Sequence, residues 1–348
     1  MRTLFFLSLI LAGFILACTS PYAPPAGSNL SLKDYFAQTD TGLQTGGVKI
    51  IPISTPKGNF NIWTKRIGNN PKVKVLLLQG GPGCPHDYWE CMESFLPAEG
   101  IEFYYYDQLG TGYSDNPNDT SFWDLPRYVD EVEQVRQALG LNKDNFYLLG
   151  HSWGGILAME YALKYQQNLK GLIISNMMAS IPDYVRYAND VLAKQLDPKV
   201  LDSIRQIEAR HDFDNPKYME LLMPNFYAVH ICRLPLDQWP GSIVRSLDGI
   251  NQSLYVTMQG PSEFGASGKL EKWDVKSQLP TIKTPTLVIG ATHDTMDPAH
   301  MKWISTAVQR GRFLLCANGG HICMWDDQET YMKGLIGFIH DVDTGAMQ

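Results

Sequence analysis

The chain has 348 residues, of which 44% are hydrophobic and 19% charged, and a formal net charge of −7. That length accommodates one large domain with an insertion, and the apolar content is ordinary for a packed core. A mildly acidic chain without Lys/Arg clusters offers no electrostatic footprint for nucleic acid, and neither a nucleotide-binding glycine loop nor an HExxH pair appears.

In chain order, Met1-Arg2-Thr3 places a charge ahead of the apolar run Leu4 to Leu16. That run is too short for an ordinary transmembrane helix. It ends in Ile15-Leu16-Ala17-Cys18-Thr19-Ser20, which resembles a bacterial lipobox. Residues 1–17 therefore read as a lipoprotein signal peptide, cut before Cys18 with lipid attached to its sulfur. An ordinary signal peptide with an incidental cysteine is the competing reading. Residues 18–47 read as a tether and N-terminal extension, with Pro21 to Ser28 extended. The expected location is extracytoplasmic, periplasmic or at the cell surface, with the body held to a membrane through Cys18.

Val73 to Leu78 is a continuous apolar strand running into Gln79-Gly80-Gly81-Pro82-Gly83. Phe103-Tyr104-Tyr105-Tyr106 reads as a second strand, with Asp107 fixing the loop at its end. Phe146 to Leu149 is a third, and it leads through Gly150-His151-Ser152-Trp153-Gly154 into a helical run, Ile156 to Ala162. G-x-S-x-G between a strand and a helix is a nucleophile elbow, a strained turn that lifts a serine hydroxyl above a sheet. Ser152 is thus the candidate nucleophile, and the expected class is an α/β-hydrolase fold, a mostly parallel sheet flanked by helices.

A serine needs a base, and the base an orienting acid, in the chain order Ser, Asp or Glu, His. Pro285 to Gly290 reads as a buried strand followed by the loop Ala291-Thr292-His293-Asp294-Thr295-Met296-Asp297. Asp294 is the candidate acid, Asp297 the fallback, and His293 a neighbour. Arg312 to Cys316 reads as the last strand. The loop Ala317-Asn318-Gly319-Gly320-His321 then carries the candidate base, His321, ahead of an amphipathic helix from Tyr331 to Ile339. The backbone N–H groups of Gly81 and Trp153 are the candidate oxyanion hole. Asp107 precedes Ser152 in the chain and so falls outside the expected order for the acid.

Gly80-Gly81-Pro82-Gly83, Tyr106-Asp107-Gln108-Leu109-Gly110-Thr111-Gly112-Tyr113-Ser114 and Gly150-His151-Ser152-Trp153-Gly154-Gly155 together resemble the proline iminopeptidase family. They are equally similar to the tricorn-interacting aminopeptidases. The likeness spans about residues 48 to 342. Gln79 stands where the family usually carries His, and Leu109 where it carries Arg. The resemblance implies a helical cap inserted after the strand Gly171 to Ser175. The segment from there to Thr286 is too long for an ordinary connection and has helical periodicity over Val191 to Arg210 and Lys217 to Val229. The expected organisation is hydrolase domain 48–176, cap 177–267 and hydrolase domain 268–348.

Gly260-Pro261-Ser262-Glu263-Phe264 resembles the family's G-P-x-E-F motif, whose glutamate lies near the substrate's free amine. Glu263 is the candidate amine ligand. Glu220 is the nearest candidate for a second carboxylate, with a solvated helix-surface glutamate as the alternative. The activity implied is release of N-terminal proline, or another apolar residue, from short peptides through an acyl-enzyme. An esterase or N-acyl amide hydrolase with the same triad is the alternative, and a non-catalytic binding protein a more distant one. No metal or organic cofactor is expected, since the cysteines show no zinc spacing. Beyond Cys18 five cysteines remain: Cys84, Cys91, Cys232, Cys316 and Cys323. Free buried thiols are the default for them, with Cys84–Cys91 or Cys316–Cys323 bridges as alternatives.

Overall fold

The computed structural model describes residues 45–213 and 215–347. Cys18, the leader and nearly all of the expected tether lie outside the described residues. Eight strands form one sheet: β1 (Val48–Thr55), β2 (Gly58–Ile67), β3 (Lys74–Leu78), β4 (Glu102–Tyr106), β5 (Phe146–His151), β6 (Gly171–Ser175), β7 (Thr286–Ala291) and β8 (Gly311–Cys316). Their order is β1-β2-β4-β3-β5-β6-β7-β8. β1 and β2 form an antiparallel hairpin closed by Pro56 and Lys57, β2 meets β4 antiparallel, and every pair from β4 to β8 is parallel.

The position of each strand follows from its side chains. β4, β5, β6 and β7 are buried along their whole length, which is why they read as unbroken apolar runs. The edge strands alternate or are partly exposed, and Pro52, which cannot donate to a ladder, sits in β1 at one edge. Successive residues point to opposite faces. Leu76, Leu78, Leu148, Ile174 and Val288 pack beneath α1 (Leu125–Ala138), α2 (Trp153–Tyr165) and α8 (Pro298–Ala307). Val75, Leu77, Leu149, Ile173 and Ile289 face the other way, toward α10 (Gln328–Asp343) and the 3₁₀ segment His86–Ser94.

Between β6 and β7 lie α3 (Ile181–Tyr187), α4 (Pro198–Ala209), α5 (Pro216–Leu222), α6 (Gly241–Asp248) and α7 (Gln252–Met258). Buried side chains of α4, α5, α6 and the segment Met223–Ile231, including Ile204, Tyr218, Phe226, Tyr227 and Ile243, belong to the same apolar cluster as the α10 face of the sheet, whereas Ile181 and Tyr184 of α3 and Leu254 and Met258 of α7 join the opposite one. The helical run expected from Val191 is interrupted. Ala188–Leu192 is a π-helical turn, and α4 starts afresh at Pro198, capped by Asp197, whose carboxylate accepts from Lys199 N at 2.8 Å. The run expected from Lys217 likewise passes into π-helical geometry over Met223–Ile231, with Pro224 near its start. The short α9 (Cys323–Asp326) precedes α10. No helix among the described residues is long and apolar enough to cross a membrane. All five described cysteines are buried and unbridged.

A contact too close for any side chain lies where α2 crosses the ends of β3 and β5. A Cβ on Gly150 would sit 1.9 Å from the Gly154 carbonyl oxygen, and one on Gly154 would sit 2.2 Å from that of Leu78. Both obstructions are backbone and cannot rotate away. Gly150→Ala should therefore destabilise the fold by about 3 kcal/mol or more, lowering the unfolding temperature by roughly 5–10 °C in calorimetry. Gly337→Ala, in α10 with nothing within 4 Å of the new methyl, should instead add about 0.5–1 kcal/mol.

Candidate active site

Ser152 occupies the junction of β5 and α2 with φ 54° and ψ −123°, a conformation that side-chain-bearing residues rarely adopt. It is held there by its own N–H, which donates to Ser175 O at 3.0 Å, and by the α2 turn that begins on its carbonyl, with Gly155 N at 2.7 Å. Its Cβ packs against Gly80 of the loop after β3, where an added methyl would lie 3.1 Å away.

Asp294, on the loop after β7, accepts from His321 Nδ1 at 2.7 Å. Its carboxylate also accepts from Asn176 Nδ2 at 2.7 Å and Met296 N at 3.1 Å, which fixes its plane. With Nδ1–H committed to Asp294, His321 Nε2 is the basic nitrogen. That atom is buried and has no partner among the described residues. Burial works against the imidazolium, but the Asp294 carboxylate and, further off, Glu263 outweigh it, so the pKa of His321 lies above the ordinary 6.5. Asp297 instead caps α8 through Ala299 N, and His293 donates its N–H to Gly319 O. Asp107 accepts from His86 N and Tyr113 N, each at 3.0 Å, and shapes the loop after β4.

Ser152, His321, Gly80, Gly81 and Glu263 all line one cavity of about 680 Å³. Gly81 has φ 106°, and a Cβ there would lie 2.8 Å from the Gly83 and Cys84 nitrogens, so only glycine brings the backbone this close. Trp153 is the first residue of α2, and its N–H has no intrahelical acceptor. Together these groups offer a nucleophile, a base and two backbone donors for a developing oxyanion. Among the described residues no group of three or more His, Cys, Asp or Glu side chains is placed to hold a metal ion.

Glu263 reaches the cavity from the loop after α7. Tyr255 Oη donates to its carboxylate at 2.6 Å, its own N–H donates to Tyr227 Oη at 3.3 Å, and Tyr184 Oη donates to its carbonyl at 2.5 Å. No Lys or Arg pairs with it among the described residues. Burial raises its pKa, against the opposing pull of His321 and Tyr255. Glu220 is a correction: it projects from α5 into solvent, 3.4 Å from Lys217, with its side chain 62% exposed, and does not line the cavity. Gln79 and Leu109 are buried behind the site rather than in it. Gln79 Nε2 donates to Thr111 Oγ1 at 3.3 Å, and Leu109 N donates to Glu131 at 2.9 Å.

Two connections have no counterpart in the sequence reading. The first is a buried chain through His151, the residue before the serine. Gly80 N donates to Tyr88 Oη at 2.7 Å, Tyr88 Oη meets His151 Nδ1 at 3.1 Å, and His151 Nε2 donates to His321 O at 2.8 Å. Every proton in that chain is used once only if His151 is neutral, and burial together with the adjacent His321 holds its pKa well below 6.5. The second runs from the cap. His321 N donates to His230 O at 2.7 Å, Ile322 N to Ile231 O at 3.0 Å, and His230 Nδ1 to His293 O at 2.8 Å. The G-x-S spacing marks His151 as adjacent to the nucleophile, but nothing local in the chain marks Tyr88 or His230.

A family model described as the alpha/beta hydrolase fold matches residues 74–328. The proline iminopeptidase of Elizabethkingia meningoseptica is 61% identical over 297 residues, which is 85% of this chain and 99% of that protein. That of Flavobacterium johnsoniae is 60% identical over 294 residues, 84% of this chain and 98% of the relative. Among solved structures, the proline iminopeptidase of Mycobacterium smegmatis superposes with a TM-score of 0.76 at 28% identity, covering 86% of this chain and 99% of its own. VinJ gives 0.78 at 30% identity, covering 84% and 98%. With the alpha/beta hydrolase model matched over most of its length and relatives of this similarity, the chain belongs to the proline iminopeptidase family of α/β-hydrolases.

Proposed function

We propose that the protein is a serine exopeptidase that releases N-terminal proline from peptides. The observation that carries this reading is the placement of Glu263. A carboxylate without a cationic partner is costly in a partly buried cavity, and a substrate's protonated N-terminal amine, primary or prolyl, would relieve that cost. An ester or an N-blocked amide offers it no such partner. The names of the relatives, all proline iminopeptidases at 59–61% identity, support the same activity.

In this mechanism Ser152 Oγ attacks the carbonyl of the first residue while His321 Nε2 takes its proton. Asp294 keeps the imidazole in the Nδ1–H tautomer and stabilises the imidazolium. The Gly81 and Trp153 N–H groups receive the oxyanion. His321 then returns the proton to the leaving amine, and the carbon–nitrogen bond breaks to leave a prolyl ester on Ser152. Water, deprotonated by His321, attacks the ester; the bond to Ser152 Oγ breaks, His321 returns the proton to that oxygen, and proline is released.

The same reading extends to location. A short apolar run followed by Leu16-Ala17-Cys18 supports lipid attachment at Cys18 and an extracytoplasmic, membrane-tethered enzyme. Metabolic labelling with a fatty-acid analogue should mark the full-length chain and not Cys18→Ala; equal labelling of both would remove the anchor.

Activity on prolyl-aminomethylcoumarin with none on its N-acetyl derivative is the expected result. Ser152→Ala should abolish turnover, and Glu263→Gln should lower kcat/KM by about two orders of magnitude. Hydrolysis of p-nitrophenyl esters without any release of proline would leave an esterase.

The pH dependence has a definite sign. As pH falls through the raised pKa of His321, the imidazole gains a proton and loses its function as base. The acid limb of Ser152 labelling by a fluorophosphonate should therefore lie above pH 6.5. Glu263→Gln removes a neighbouring negative charge and should move that limb to lower pH. An unmoved limb would place Glu263 too far from His321 to influence it.

A further inference from the structure

Nine large apolar side chains stand exposed among the described residues, and four of them, Met219, Leu236, Val244 and Val256, line the active-site cavity. Each is between 39% and 42% exposed. They come from four separate parts of the cap: α5, the 3₁₀ turn Leu236–Gln238, α6 and α7. Single exposed apolar residues are normal on a protein surface, but convergence on one opening marks a place of contact.

The direction of the substrate identifies the occupant. Its amine is placed at Glu263, in the wall closed by Tyr184, Tyr227 and Tyr255. That amine and the carbonyl under attack belong to the same residue, with only its Cα between them, so everything beyond the cleaved bond must run away from Glu263, toward the opening. A cavity of about 680 Å³ also exceeds what one prolyl ring fills, and falls in the range of about 300–1,000 Å³ that encloses larger ligands. No Lys or Arg is among the described residues lining it, and its carboxylates are Glu263 and Asp248. A negative charge just beyond the cleaved bond would find repulsion and no partner.

Resting on the N-terminal release set out above, we propose that the mouth of the cap is a leaving-group subsite. It selects peptides whose second residue is large, apolar and uncharged, and whose chain continues past it rather than ending in a free carboxylate. All prolyl substrates converge on the same acyl-enzyme, so the selection acts on acylation. It appears in kcat/KM and disappears from kcat wherever deacylation limits turnover.

The test measures kcat/KM for prolyl-leucinamide, prolyl-glycinamide, prolyl-aspartamide and the free dipeptide prolyl-leucine. The enzymes compared are the wild type, Val244→Ser and Met219→Ser, each checked for an unchanged unfolding temperature. Prolyl-leucinamide should exceed prolyl-glycinamide by about tenfold or more. The aspartamide and the free dipeptide should be the poorest substrates. The leucine-to-glycine ratio should contract several-fold in both variants. Equal values for leucine and glycine, or a ratio undiminished in both variants, would overturn the subsite. So would equal rates accompanied by binding of anionic phospholipid vesicles that Val244→Ser abolishes, which would assign the patch to a membrane surface. Failure to release proline from any of these compounds would remove the exopeptidase reading, and the subsite with it.

Discussion

The close crossing of α2 over β3 and β5 is the constraint on which the site depends. Backbone meets backbone there, between Gly150 and Gly154 and between Gly154 and Leu78, at separations that leave no room for a side chain. That contact forces the chain through a sharp reversal, and Ser152 absorbs it in its left-handed conformation. The same crossing aims the open first turn of α2 at the cavity and brings the loop after β3 against the serine. The placement of Ser152 and of the Gly81 and Trp153 backbone is the consequence of one packing decision, and the strain at Ser152 is offset by the buried sheet on either side.

The base is fixed differently, from two directions at once. Its side chain hangs on Asp294, which Asn176 and Met296 hold in plane, while its backbone hangs on the cap through His230 and on the nucleophile's neighbour through His151. The neutral ring of His151 joins the oxyanion loop to the histidine loop through Tyr88. Asp294 thus both orients the His321 ring and, with Glu263, raises its basicity, while uncharged hydrogen bonds place its backbone.

The parallel strands β3 to β8 and the triad candidates are legible because their signals are local, whereas the polar, half-exposed hairpin of β1 and β2 has no such run and is absent from the sequence reading. Buried parallel strands read as apolar runs, and the elbow, the Asp294 loop and Gly-Gly-His each follow one. Glu263 was legible only through its likeness to a family motif. Glu220 shows the limit of periodicity: a helix pattern states that a residue lies on a helix, not which face meets a cavity, and the face was set by packing from elsewhere in the cap. The cap helices were overextended for a related reason, since Asp197-Pro198 and Pro224 alter helix geometry inside segments whose apolar spacing continues through them. Tyr88 meets His151 across 63 residues and His230 meets His321 across 91, spans over which no spacing rule operates.

The bonds from His230 and Ile231 to the histidine loop have a consequence for how anything reaches Ser152. If the segment between β6 and β7 swung aside, it would take with it the peptide groups of His230 and Ile231 that hold the His321 loop. Any displacement of that segment would disturb the seating of the imidazole, which couples access to Ser152 with the placement of His321.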